Sequence, residues 1–286
     1  MEAIGYYQKR ILNFLAYPLI FISAVLCITE GFTDFGKLNF SLLLSCVFAV
    51  LLYYTRRRYG LWRALLFILM FAFFTYLLYD NLYELTRALA GWLKGKPILF
   101  GALKNLYELV FGNLLSELIY HTEYAKAVVT ESGIISGAVD IFKSNPASPN
   151  AVTSSYLTGE YFENIFLPPA VLILLFRKLK GKERGALTAV CLLSIIAGDA
   201  RLFSLVILLI NPALYVVYLL VTALSYLSSI LLDFRIGFIN SASFFELIKY
   251  IRNPLFFLLT GIALSVLMYF ASLYVLTKFG GKNESS

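Results

Sequence analysis

The sequence predicts an all-α polytopic membrane protein with about six transmembrane helices plus two re-entrant segments. Four observations lead there. Hydrophobic residues make up 60% of the 286 positions and charged residues only 14%, whereas soluble domains carry about 25% charged residues. Mean hydropathy is +0.78. Several apolar runs approach or exceed the ~18–20 residues needed to cross a bilayer. Finally, Gly198-Asp199-Ala200-Arg201 interrupts two such runs. Each charge at bilayer depth costs at least a few kcal/mol. Such a break survives only where backbone lines a cavity or is buried in protein.

The spans follow in order. Lys9-Arg10 precede the first, 11–29. It contains Pro18, ends in Thr29-Glu30 and lacks a small-x-small cleavage pattern, so it reads as a retained span rather than a signal peptide. Spans two and three are 38–55 and 61–79, with Arg63 placed to snorkel. Span four, 162–176, is short, and Pro168-Pro169 bend it or let it start earlier. Span five, 202–232, is long enough to tilt, with a break expected at Asn211-Pro212. Span six is 255–277. Segment 98–120 carries Lys104, Glu108 and Glu117, and 185–198 is too short to cross. Both fit re-entrant or cavity-lining pieces.

Bases set the orientation. Lys9-Arg10, Arg56-Arg57-Arg58 and the run from Arg177 to Arg184 fall on one face with Lys278 and Lys282. The positive-inside rule makes that face cytoplasmic, with both termini inside and the chain multi-pass in the cytoplasmic (inner) membrane. The resulting organisation is N-terminal helices 1–97, a core 98–278 with an external loop 121–160, and a flexible tail 279–286.

Composition also excludes function classes. The net charge of +7 does not point to nucleic acid, because the bases flank apolar runs and suit topology or anionic lipid. Cys27, Cys46 and Cys191 lie within apolar runs and read as buried hydrophobes. One histidine, His121, and no His/Cys cluster give no metal site, and no cofactor is expected. Gly-x-Ser-x-Gly, P-loop and Gly-x-Gly-x-x-Gly patterns are missing, so ATP-driven transport would need a separate subunit.

Three groups are candidate binding residues. Asp199 and Arg201 are either a solute or ion contact at a discontinuous helix, or a structural ion pair at a re-entrant tip. Glu108, Asn113, Glu117 and His121 are either a polar wall facing a pore or a wetted interfacial segment, with Glu117 and His121 sharing a face at i,i+4. Glu160 and Glu163 flank Tyr161-Phe162 at the mouth of span four. They either hydrogen-bond sugar hydroxyls beside stacking aromatics or sit in ordinary interfacial positions. No catalytic residue is assigned.

The stretch 159–170, Gly-Glu-Tyr-Phe-Glu-Asn-Ile-Phe-Leu-Pro-Pro-Ala, is followed by a basic loop from Arg177 to Arg184. Further on come Ile210-Asn211-Pro212-Ala213-Leu214-Tyr215-Val216-Val217-Tyr218 and 233–242, Asp-Phe-Arg-Ile-Gly-Phe-Ile-Asn-Ser-Ala. In this order, residues 157–254 resemble the second half of the membrane permease component (EIIC) of the bacterial phosphoenolpyruvate-dependent sugar phosphotransferase system, glucose superfamily. The segment from Leu99-Phe100-Gly101 to Phe111-Gly112 resembles the stretch before that family's Phe-Gly-Leu-His-His, and Gln8-Lys9-Arg10 to Pro18 resembles the start of its first span. The family carries more helices between its third span and first hairpin. The resemblance implies carbohydrate transport across the cytoplasmic membrane, a separate EIIB-type protein docking near Arg177–Arg184, and a homodimer.

The departures bear on chemistry. The family's Gly-Ile-Thr-Glu-Pro-x-Glu glutamate, aligned without gaps from Pro212, falls on Arg201. Leu202 and Ser204 replace the following proline and second glutamate, and the histidine pair falls on Leu114-Leu115. A guanidinium donates only and cannot take a proton from a sugar hydroxyl. The expectation is therefore a divergent permease moving a sugar or sugar derivative past Asp199, Arg201, Asn113, Glu117 and Glu160. Arg201 suits an anionic or phosphorylated ligand. The alternative is a non-catalytic, EIIC-derived partner or regulatory subunit.

Overall fold

The computed structural model describes residues 81–279 apart from 112–113, 123–127, 131–132, 136, 147–150, 177–178 and 180. The first three expected spans, and Asn113, lie outside the described residues. Helix dominates what is described. Helical residues 81–93 form α1. They are followed by α2 (Pro97–Phe111), α3 (Leu114–Glu117) and a π-turn at Leu118–Thr122. A hairpin then pairs β1 (Val128–Thr130) antiparallel with β2 (Gly133–Ile135), Val128 opposite Ile135. Next come α4 (Ala138–Ser144), α5 (Ala151–Tyr161), a second π-turn at Phe162–Phe166, and α6 (Leu167–Phe176). The chain ends with α7 (Lys182–Ala197), α8 (Arg201–Ile210), α9 (Pro212–Leu231), α10 (Phe244–Tyr250) and α11 (Pro254–Phe279).

Three stretches are long and apolar enough to span: Thr153–Phe176, Pro212–Leu231 and Pro254–Lys278. At 1.5 Å per residue, even the shortest reaches about the ~30 Å hydrocarbon thickness. They differ in burial, at 72%, 44% and 28% of their apolar windows. Thr153–Phe176 is thus the central helix and α11 the peripheral one. Leu255, Leu259, Ile262, Val266 and Phe270 run along α11 exposed. A continuous apolar stripe of this kind suits lipid or an apolar partner surface.

Local chemistry explains the boundaries. Span five divides in two. Asn211 is extended and its side chain accepts from Ala213 N (2.9 Å) and Leu214 N (3.2 Å), while Pro212 opens α9. This is a side-chain N-cap followed by proline at the first helical position. Only α9 is long and apolar enough to cross, and α8, at 10 residues, is not. Span four begins earlier than its apolar run suggests. Residues 151–160, read from sequence as the end of an external loop, are the first turns of α5 and are buried from Thr153 onward. Segment 98–120 is the short pieces α2 and α3 plus a π-turn rather than a full span. Segment 185–198 lies in α7, which stops at Gly198 in the left-handed region (φ 73°, ψ 38°) with its N–H returned to Ser194 O (3.0 Å). Glycine enters that region without the Cβ clash that other residues meet.

The core is a close packing of α2, α5 and α9. The Tyr226 ring of α9 lies against Gly101 of α2 and Gly159 of α5, and a Cβ at either glycine would overlap it. Phe100 meets the same ring edge-on at 5.7 Å. Phe162 stacks on Phe257 of α11 (4.5 Å, 18°), and Gly261 of α11 makes room for Phe166. The extended stretch 234–239 is pinned to α5 by Thr158 Oγ1 donating to Ile236 O (2.7 Å) and Tyr161 OH to Gly237 O (3.1 Å).

Candidate functional site

The packing of α2 on α5 and α9 brings charged groups together inside the bundle. Lys104 lies one turn after Gly101, and Glu160 directly follows Gly159. The two small residues that let the helices approach therefore also set the charges face to face. Lys104 Nζ is 2.8 Å from Glu160 Oε1 and 3.7 Å from Glu163 Oε2, with side chains only 5%, 11% and 0% exposed. Glu160 and Glu163 share a helix face at i,i+3. They lie within the long helical stretch Thr153–Phe176, not at its mouth.

The remaining valences of these groups are mostly filled. The Tyr120 hydroxyl donates to Glu160 Oε2. Asn105 Nδ2 donates to Glu163 Oε1 (2.6 Å), and the Tyr218 hydroxyl to the same oxygen (3.3 Å). Tyr215 OH donates to the Asn105 carbonyl (3.1 Å), fixing α9 against α2. Glu108, one turn beyond Lys104, is buried and accepts from Ser116 N (3.2 Å). Buried charges persist when they are paired and hydrogen-bonded, and Glu160 and Glu163 meet both conditions. The Tyr226 hydroxyl and Glu163 Oε2 are buried without a hydrogen-bond partner among the described residues.

The helix break expected at 198–201 is present. Gly198, Asp199 and Ala200 separate α7 from α8. Arg201 binds Asp199 through Nε (2.9 Å to each carboxylate oxygen) and Nη2 (2.5 Å), and the Arg201 N–H donates to Asp199 Oδ1 (2.9 Å). Both side chains are about a quarter exposed. The geometry is that of a local ion pair, and it occupies much of the guanidinium. The pair is not isolated, because Arg201 acts electrostatically on Glu108, and Lys104 on Asp199.

One side chain ties this break to the central helix. Asn164, in the π-turn, donates from Nδ2 to Gly198 O (2.7 Å), and its own carbonyl accepts from Ser194 Oγ (3.0 Å). Pro168 has no N–H to give the carbonyl four residues back, which is Asn164. Ser194 supplies that missing donor. π-turns of this kind concentrate at functional positions.

Of the residues expected from sequence, the structure therefore places Glu160 in the buried cluster and Asp199 and Arg201 beside it. Glu117 is exposed on α3. His121 is half exposed, with Nδ1 3.3 Å from Asp140 Oδ1. Of the two readings of Glu117 and His121, the geometry matches the wetted one. Lys104, Asn105, Tyr218 and Tyr226 are the members that sequence reasoning left out of the site, and Glu163 entered only beside Glu160 at the expected mouth of span four. Their signal was present as Lys104 and Glu108 four apart in one apolar segment and Glu160 and Glu163 three apart in another. Cys191 is buried, in keeping with its apolar run. Among the described residues no group of three His, Cys, Asp or Glu is placed to hold a metal ion. No protein-family model matches the chain, and no curated protein matches it.

Proposed function

We propose that this chain is a multi-pass carrier of a small polar solute, with the Lys104–Glu160–Glu163 cluster and the adjacent Asp199–Arg201 break lining the solute path. One observation carries the reading: a lysine and two glutamates, nearly inaccessible, packed between helices that are apolar on their outer faces. Ionisable residues inside membrane bundles are expensive and mark solute or ion pathways by default. A purely structural pair needs one acid per base. Here Lys104 meets two, and Asn105, Tyr120 and Tyr218 surround them with groups of the kind that read hydroxyls.

The likeness of 157–254 to an EIIC permease makes a sugar the first solute class to test, and the cytoplasmic membrane the expected location. The site chemistry refines that choice. Arg201 is largely satisfied by Asp199, and carboxylates outnumber cations, so a neutral or amino sugar fits better than an acidic or phosphorylated one. Leu114 and Leu115 are buried where the family's histidines would fall, so phosphoryl transfer, and with it an EIIB-type partner, stays outside this proposal.

The test is thermal stabilisation of the purified full chain by glucose, glucosamine, glucuronate and glucose 6-phosphate, followed by uptake into reconstituted vesicles. Stabilisation and uptake of glucose or glucosamine, lost in Glu163→Gln and kept in Glu117→Gln, would support it. No response to any solute, with a co-purifying membrane protein, would replace it by the partner-subunit reading.

A further inference from the structure

The site carries an excess of buried negative charge, and this points to a second ligand. Lys104 is committed to Glu160 and, more distantly, to Glu163. Arg201 is committed to Asp199 through both Nε and Nη2. Four carboxylates (Glu108, Glu160, Glu163 and Asp199) thus face two cations. Compensation is uneven among them. Glu160 has the ammonium and a tyrosine hydroxyl. Glu163 has an amide and a tyrosine hydroxyl. Glu108 is 1% exposed, and its one hydrogen bond among the described residues is a long one from Ser116 N at 3.2 Å. A buried carboxylate with so little support takes up a proton rather than remain charged.

We propose that Glu108 carries a proton at neutral pH and is the proton-exchanging group of this site. This rests on the cluster being the solute path, where protonation would couple solute movement to a pH gradient. The groups facing Glu108 come from every neighbouring element. They are Lys104 on its own helix, Ser116 N of α3, Glu160 of α5, Glu163 of the π-turn, Arg201 at the start of α8, and Tyr215 and Tyr226 of α9. The two cations among them already serve other acids.

A second observation, independent of the acid count, is a buried hydroxyl beside these acids. The Tyr226 hydroxyl is fully buried and has no hydrogen-bond partner among the described residues, yet it lies within electrostatic reach of Lys104, Glu108, Glu160 and Glu163. A hydroxyl can both donate and accept, so it leaves an unmatched buried hydrogen-bonding group among these charges. A metal ion is the less suitable counter-charge, because no three ligating side chains among the described residues converge.

The experiment is an infrared pH titration of the full chain in phosphatidylcholine vesicles without solute, following the C=O stretch of protonated carboxyls. The expected result is a band at neutral pH that persists above the range where exposed carboxyls ionise. It disappears in Glu108→Gln and remains in Glu117→Gln. No such band in the parent, or a band that survives Glu108→Gln and vanishes in Glu160→Gln or Glu163→Gln, overturns the proposal. Melting temperature gives a second readout. Glu108→Gln, which mimics the protonated acid, melts with the parent at neutral pH, whereas a clear drop would mean that a charged Glu108 had been removed. The two readings separate cleanly. Solute stabilisation with no band sinks the proton alone, and a band with no response to any solute sinks the solute path alone.

Discussion

Replacing Lys104 by methionine tests the cluster most directly. Methionine keeps the apolar stem of lysine and removes the ammonium, with its charge and N–H donors. Glu160 and Glu163 would then face each other in a space where their side chains are 11% and 0% exposed. Tyr120, Asn105 and Tyr218 would be their remaining donors. Removing one partner from a buried pair costs about 3–5 kcal/mol, because the other charge is left uncompensated. At about 2–4 °C per kcal/mol for a chain of this order, the unfolding temperature should fall by about 10 °C. A thiol-reactive fluorophore reports it, since the Cys191 side chain is 2% exposed and reacts only as α7 opens. Replacing Cys27 and Cys46 with alanine confines the signal to that site. The double variant Lys104→Met/Glu160→Gln removes one stranded carboxylate along with the ammonium and should recover much of the loss, which a double-mutant cycle quantifies. If Lys104→Met costs under about 1 kcal/mol, the range of solvent-exposed pairs, then the pair is not desolvated and the site has been misassigned.

Other perturbations probe the frame that holds the cluster. Gly159→Ala drives a Cβ into the Tyr226 ring and should cost about 1–3 kcal/mol as an overpacking change. Gly91→Ala, where nothing lies within 4 Å, should be neutral or stabilising by about 0.5–1 kcal/mol; equal behaviour of the two in a melting assay would refute the close approach of α5 and α9. Gly198→Ala meets both a left-handed backbone and the main chain of Ala242 and Ser243, 2.5 Å away. It should therefore reduce the yield of folded protein on size exclusion far more than Gly185→Ala, a position with open surroundings. Tyr226→Phe removes a buried hydroxyl with no partner among the described residues, so it should leave the melting temperature unchanged or raised. If the hydroxyl belongs to the solute path, the same variant weakens solute stabilisation.

Much of the fold was legible in the chain because its cause is local. Hydropathy alone marks α11. Asn211-Pro212 announces the start of α9, since a side-chain cap and a proline act within one turn. Gly198 followed by Asp199 and Arg201 announces the break after α7. The earlier start of the central helix was not legible, because Ala151–Tyr161 is rich in serine, threonine and tyrosine and its burial depends on neighbours distant in sequence. The site divided in the same way. Asp199 and Arg201 stand out because nothing apolar explains them, and Glu117 and His121 showed a shared face that the structure leaves in contact with water.

The sequence by itself determined that the chain carries stretches long and apolar enough to span a membrane, where its helices break, and which side chains are too polar to face lipid. Helix hydrogen bonds and capping act over a few residues, and hydropathy is additive along a run. Only the tertiary structure decided which charges meet. Lys104 and Glu160 are 56 positions apart and come together because two glycines let α2 and α5 close on one tyrosine. No local pattern encodes that distance. It follows from shape complementarity between helices, and the low dielectric it creates makes an ordinary lysine and two ordinary glutamates the groups around which a function is proposed.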